Sequence, residues 1–277
     1  MSGAPVLPGP VGVLGLGRVG RFLALGLAER GVDVRAWDRG DGVGLADVRA
    51  RGVTADTGPL PAWLPGCGLL LVPVADRALE AVARDLGRLP LAPETVVLHT
   101  SGFHPAALLR PHLPAHVAVG SLHPVQAFPA EGVPRPAGIP AGIEGEPAAV
   151  AAAARLAEAL GLRPFPVAAQ HKALYHAALA LAADGTVAVF AAATAVLRQA
   201  GVPAAEAQAL LRRLLATAAA NLTTLPPAAA ATGPVRRGDE AVVRAHLEAV
   251  ASEAPAEAEL ERAVVARLRR LTAEELP

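Results

Sequence analysis

PVGVLGLGRVGRFLALGLAERGVDVRAWDR, residues 10–39, is the stretch that decides the fold. A short apolar run ends in a glycine turn, and a stretch with helical spacing of apolar residues runs from about Val19 to Arg30. Gly31 then stops it, and a second apolar run closes near Trp37. This pattern predicts a strand, a helix and a second strand.

Gly15, Gly17 and Gly20 make G-x-G-x-x-G where the first strand gives way to the helix, with Leu16, Arg18 and Val19 between them. The first glycine allows the tight turn, the second lets backbone approach a pyrophosphate, and the third lets the helix pack on the strand. The helix N-terminus offers free N–H groups to the anion. An acidic residue, Asp38, ends the second strand at the place of a ribose ligand. Together these features predict dinucleotide binding; a glycine-rich packing turn is the bland alternative. Asp38 accepts from a ribose 2′-hydroxyl and repels a 2′-phosphate, which favours NAD, whereas Arg39 beside it suits the phosphate of NADP. NAD leads narrowly. Asp38 also fits ordinary turn chemistry at a strand end.

Outward from this unit, CGLLLVPVAD and ETVVLHTSG are further short apolar runs with a helix-like stretch, Arg77 to Leu86, between them. HVAVGSLHP and AGIEG read as later strands, Pro147 to Leu160 as a helix, and RPFPVA as a last strand. The Pro- and Gly-rich AFPAEGVPRPAGIPAG reads as a surface loop. Strands alternating with helices imply a doubly wound parallel α/β sheet covered on both faces. From Gln170 on, strand signals give way to helical periodicity over Ala204–Leu225, Asp239–Ala251 and Ala256–Leu271. The expected organisation is a nucleotide-binding domain over 1–168 and a helical substrate or dimerisation domain over 169–277.

The 277 residues are 53% hydrophobic with a mean hydropathy of +0.40, enough for a sizeable core. Twenty-five basic residues balance 25 acidic ones, which argues against a nucleic-acid or anionic-membrane partner. One cysteine, Cys67, permits no internal disulfide, and no basic leader precedes the first strand, so a cytoplasmic protein is expected. Ala177 to Leu197 is long enough to span a membrane, but it carries Asp184 and Gly185 and reads better as a buried core helix. Its alanines would let helices approach closely, which suggests a homodimer through the C-terminal helices.

Lys172 is the only lysine, and Tyr175, the only tyrosine, follows three residues on. Lys172 and His176 are four apart, hence on one helical face, with Tyr175 beside them. Unlike arginine, lysine can release and recapture a proton once partial desolvation lowers its pKa. That makes Lys172 the candidate general acid/base and His176 its neighbour in a donor cluster. A lone lysine with its ammonium in water is the competing reading. Thr100 and Ser101 follow the strand TVVLH at the carboxyl end of the sheet, where α/β ligands bind. Ser101 either holds a substrate or ribose oxygen or caps a Ser-Gly turn. Val72 and Pro73 are expected to shape the cofactor edge, with Asp76 there or capping the next helix. Arg236 and Arg237 offer a carboxylate clamp or a solvated loop pair, Asp239 a helix N-cap, and Asn221 polar glue or a substrate contact. The eight histidines carry no metal-ligand spacing.

The segments GLGRVG, LLLVPVADRAL, LHTSGFHPAALL, VGSLHPVQAF, GIEG, HKALYHAALALAAD and TGPVRRGDEAVVRAHL, spread over residues 15–247, give the chain a family likeness. It resembles Rossmann-like proteins whose C-terminal part is domain of unknown function 2520, a group similar to pyrroline-5-carboxylate reductases, prephenate dehydrogenases and β-hydroxyacid dehydrogenases. The resemblance implies an NAD(P)-dependent oxidoreductase with a C-terminal domain like that of 6-phosphogluconate dehydrogenase, often dimeric, acting on a small, carboxylated carbonyl, imine or alcohol. A dinucleotide sensor without catalysis is the alternative. By the same resemblance, Lys172 and His176 occupy the places of a catalytic lysine and a polar residue one turn on, and His123 that of a histidine before proline which contacts a substrate hydroxyl. The family's usual asparagine is replaced here by Asp184, which together with Tyr175 and Arg237 completes the expected substrate contacts.

Overall fold

A computed structural model describes Leu7 and residues 9–40, 43–129 and 131–273. Two compact units divide between Leu179 and Ala180.

The first unit is built on eight strands: β1 (Val11–Leu14), β2 (Val34–Asp38), β3 (Thr54–Thr57), β4 (Leu69–Val72), β5 (Val96–His99), β6 (Ala118–Pro124), β7 (Pro140–Gly145) and β8 (Arg163–Pro166). Their order in the sheet is β3-β2-β1-β4-β5-β6-β7-β8. Four helices accompany them: α1 (Arg18–Ala28), α2 (Val43–Ala50), α3 (Leu79–Leu86) and α4 (Pro147–Leu160). β1, β4 and β5 are buried at every position because both faces of the sheet are covered. Leu69 and Leu71 of β4 join one core with Phe22, Leu23 and Leu156, while Leu70 and Val72 join another with Leu79 and Leu86.

One pairing departs from the expected parallel sheet. β6 and β7 run antiparallel, with Ser121 opposite Glu144 and His123 opposite Gly142. The chain between them is the Pro/Gly-rich loop; without a crossover helix, the strand returns in the opposite direction. β7 then passes through α4 into β8, and those two strands are parallel. The elements α2 and β3 also escape the sequence patterns. Their stretches, VGLADVRA and TADT, are short, with weak periodicity. Both tryptophans lie near this edge, Trp37 Nε1 donating to the Gly58 carbonyl at 3.1 Å and Trp63 Nε1 to Asp56 Oδ2 at 2.7 Å.

Helix α5 (Lys172–Gln199) begins in the first unit and continues into the second. It is not the buried core helix expected: Leu174, Leu181 and Val187 are 72%, 77% and 66% exposed. The second unit adds α6 (Ala204–Asn221), α7 (Pro227–Ala230), α8 (Pro234–Arg237), α9 (Glu240–Glu253) and α10 (Ala258–Ala273). α7 and α8 lie where the sequence suggests only a break. α10 packs against α7, α8 and α9. Asp239 stands at the N-cap of α9, but its side chain makes no cap bond and pairs with Arg237 instead.

The glycine turn makes a sharp stability prediction. A Cβ on Gly20 would lie 1.8 Å from the Gly15 carbonyl oxygen, a backbone clash that no rotamer relieves, whereas a Cβ on Gly17 meets nothing within 4 Å. Gly20→Ala is predicted to lose about 1–3 kcal/mol, and Gly17→Ala less than half as much, in urea unfolding midpoints.

Candidate functional site

The glycine turn is held by its own backbone and by Asp38. Gly15 adopts φ +108°, a conformation that favours glycine, and its N–H donates to the Trp37 carbonyl at 2.7 Å. Asp38 Oδ2 accepts the Leu16 N–H at 2.6 Å, and Oδ1 accepts that of Gly40 at 3.1 Å. Pro73, just beyond β4, packs on the turn: its side chain would lie 3.1 Å from a Cβ on Gly20. Val72 is buried, Thr100 half-buried, and Arg39 exposed. Arg18 opens α1, and Val19 is half-buried in its first turn. A cleft of about 610 Å³ lies against Leu16, Gly17, Arg18, Arg21, Gly44 and Asp47. The close turn, the open space over Gly17 and the helix N-terminus fit the pyrophosphate of a dinucleotide. Asp38 is available to a ribose hydroxyl through the lone pairs that Leu16 and Gly40 leave free.

The second cluster gathers at the carboxyl ends of β5 and β6. Lys172, 2% exposed, opens α5; its Nζ donates to the Ser101 carbonyl at 2.7 Å and to Ser121 Oγ at 3.1 Å. Burial pulls the ammonium from 10.5 down to about 8, with Glu144 and Asp76 opposing the shift. Tyr175 meets His123 across a 2.9 Å hydrogen bond between its hydroxyl and Nδ1. Burial pushes the phenol up to about 12. His123 falls to about 4, mainly from burial and then from the charges of Lys172 and His176, so the pair is neutral near pH 7. His176 lies beside them, its ring centroid 6.2 Å from that of His123 and 6.3 Å from that of Phe103.

Two glycines make room for these rings. A Cβ on Gly102 would strike His123 and His176 at 2.9 and 2.8 Å, and one on Gly142 would meet the Tyr175 hydroxyl at 2.9 Å. His99, fully buried on β5, accepts the Ser101 N–H through Nδ1 at 3.1 Å; burial, then Lys172, lowers it to about 3, so it stays a neutral acceptor.

The structure therefore brings together Lys172, Tyr175, His176, His123 and Ser101. Ser101 contributes its carbonyl, while its hydroxyl accepts the N–H groups of Phe103 and His104 at 3.1 and 2.9 Å and so closes a turn. Asp76 begins a 3-10 turn ahead of α3. The remaining expected contacts belong to the second unit. Asp184 is exposed on α5, and Arg237 is committed to Asp239 at 2.8 Å and to the Thr232 carbonyl at 2.8 Å. Asn221 ends α6, and Arg236 lies in α8. Among the described residues no group of three or more His, Cys, Asp or Glu could hold a metal ion. Sequence reasoning missed Ser121, Glu144 and Gly142, and it gave His99 no role. The available signal was period two: Ser121 lies two residues before His123 on one strand, and hence on the same face.

Comparison with known proteins agrees with this architecture. Residues 139–267 match the family model for domain of unknown function (DUF2520). The fold around that region is Rossmann-like. A Thermotoga maritima protein of solved structure is similar, with 23% identity, a TM-score of 0.77, and coverage of 96% of this chain and 99% of that one. So is a Bacteroides fragilis protein provisionally named an NADP oxidoreductase, at 22% identity and TM-score 0.74, covering 95% and 98%. A pyrroline-5-carboxylate reductase from Coxiella burnetii has 15% identity and TM-score 0.61, covering 96% and 98%. At these identities the likeness establishes the fold. No curated protein matches the sequence.

The buried lysine carries a stability signature. A folded-state pKa below the unfolded value means that the unfolded chain binds more protons between about pH 8 and 10.5, so stability rises with pH across that window. The unfolding free energy of the wild type, measured relative to Lys172→Met, is predicted to rise by about 1–3 kcal/mol from pH 8 to pH 10.5 in urea titrations.

Proposed function

We propose that the protein is a nicotinamide-dinucleotide-dependent oxidoreductase. Its substrate, in this reading, is a small, carboxylated carbonyl, imine or alcohol. The observation that carries the reading is a lysine with a lowered pKa, buried with a neutral imidazole–phenol pair at the carboxyl ends of β5 and β6, in a sheet whose β1 ends in a dinucleotide-type glycine turn. Ligands of open α/β sheets bind outside the carboxyl ends of the strands. The names of the solved neighbours, among them a reductive aminase from Aspergillus terreus in complex with NADPH, supply the reaction class by analogy.

The residues divide the work as follows. The turn from Gly15 to Gly20 and the first N–H groups of α1 hold pyrophosphate, Asp38 takes a ribose hydroxyl, and Val72, Pro73 and Thr100 border the nicotinamide. A carboxylate at Asp38 disfavours a 2′-phosphate, so NAD is the preferred cofactor over NADP. The bound dinucleotide supplies or takes up hydride. Lys172 gives the proton to the developing alkoxide or amine, or removes it in the reverse direction, from an ammonium close to half-ionised at mildly alkaline pH. His123, kept neutral, orients Tyr175, and His176 borders the same space.

One observation favours the rival, a dinucleotide sensor without turnover. Lys172 is closed to solvent and spends two of its three N–H donors internally. Hydride exchange between labelled NADH or NADPH and a panel of 2-oxo, 3-oxo and cyclic imino acids separates the two readings. Exchange is predicted, and Lys172→Ala is predicted to abolish it while leaving dinucleotide affinity within about threefold, less than 1 kcal/mol. Tight cofactor binding without exchange on any of these substrates selects the sensor.

The second unit and α5 expose Leu181, Val187, Val189, Leu210 and Leu214. We propose that a second copy of the chain covers them, as a homodimer, with the balanced net charge arguing against nucleic acid or an anionic membrane surface as the partner. The free, buried Cys67 suits a cytoplasmic protein. Sedimentation at micromolar concentration is predicted to give twice the mass of the chain; a monomer, or a species found only with detergent or lipid, rejects the dimer.

A further inference from the structure

The antiparallel register of β6 and β7 places Ser121 directly opposite Glu144. Cross-strand partners of this kind have side chains on one face and within reach of each other. Here the Ser121 hydroxyl donates to Glu144 Oε2 at 3.3 Å, and the same oxygen accepts the Ala106 N–H at 2.8 Å. Lys172 Nζ donates in turn to Ser121 Oγ at 3.1 Å. The result is a directed chain from ammonium through hydroxyl to carboxylate. The two atoms that Lys172 contacts, the Ser101 carbonyl oxygen and Ser121 Oγ, are both uncharged. A buried ammonium with neutral partners alone is costly, and its place in the first turn of α5 sets it at the positive end of a helix dipole.

We infer that Glu144 is the counter-ion of Lys172: acting through the Ser121 hydroxyl, it is a positioning residue that holds the lysine in its protonated, proton-donating form. With Glu144 ionised, the Ser121 proton is drawn to Oε2, so the hydroxyl oxygen turns its lone pairs to the lysine. Nζ is then kept as the donor. Other groups face the same ammonium: Asp76 beyond β4, His99 on β5 and His123 on β6, while His176 acts on His123. Burial keeps His99 and His123 neutral, which leaves Asp76 as the other anion. Only Glu144 reaches Lys172 through a hydrogen-bonded chain among the contacts described.

The inference rests on the reading of Lys172 as the acid, but its test observes Lys172 without turnover, so either can fail alone. Because the chain has one lysine, protein labelled with 13Cε-lysine gives a single side-chain resonance whose pH titration reports Lys172 directly. Glu144→Gln is predicted to lower the midpoint by about one pH unit or more. Ser121→Ala should lower it less, Glu144→Asp should restore part of the loss, and Glu158→Gln, an exposed change on α4, should leave it at the wild-type value. An E144Q midpoint equal to that of wild type, or a larger fall in Asp76→Asn than in E144Q, overturns the proposal. Should E144Q fail to fold, S121A decides: it keeps the Ala106 bond to Glu144, and an unmoved midpoint there also overturns it.

Discussion

A single buried ammonium organises this end of the sheet. Lys172 ties the first turn of α5 to the segment after β5 through the Ser101 carbonyl and to β6 through Ser121. A charge closed off from water must be hydrogen-bonded and compensated, or it costs several kcal/mol. The surrounding structure meets that demand in pieces. His99 fixes the Ser101 backbone, the Ser101 hydroxyl fixes the turn that follows, and Ala106 fixes the carboxylate across β6. Each partner is held by a second contact, so the ammonium has little freedom to reorient.

Burial, reinforced by the same charge, keeps the neighbouring imidazoles neutral. His123 and His99 are both depressed by burial and then by Lys172. A neutral imidazole can accept from a phenol or an amide, which an imidazolium cannot. The Tyr175–His123 and Ser101–His99 bonds therefore need no charge on either ring. Gly102 and Gly142 allow the rings to approach this closely, which is a packing requirement.

Much of the fold was legible because its determinants are local. The glycine turn, the apolar runs of β4 and β5 and the capped span of α4 each follow from spacing within about a dozen residues. α2 and β3 were invisible because VGLADVRA and TADT carry no strong period, and the neighbouring βαβ frame imposes their form. Lys172 and His176 could be grouped from their spacing on one helix. Glu144 could not: it joins the site only because β7 runs antiparallel to β6, and the Pro/Gly-rich stretch between them signals a loop without signalling the direction of the strand that follows. Read as parallel, the same strand would have lost the Ser121–Glu144 register. For Arg237 the sequence left a carboxylate clamp and a loop charge pair open, and the structure pairs its guanidinium with Asp239 two residues away.

The tryptophans have a practical consequence. Both indoles, at residues 37 and 63, belong to the sheet unit and are tethered near its β3 edge, while the region beyond Leu179 has none. Intrinsic emission thus follows the melting of the α/β layer alone and is blind to the loss of α6 through α10, whereas far-ultraviolet ellipticity weighs every helix. A gap between the two curves would measure how independently the halves of this molecule unfold.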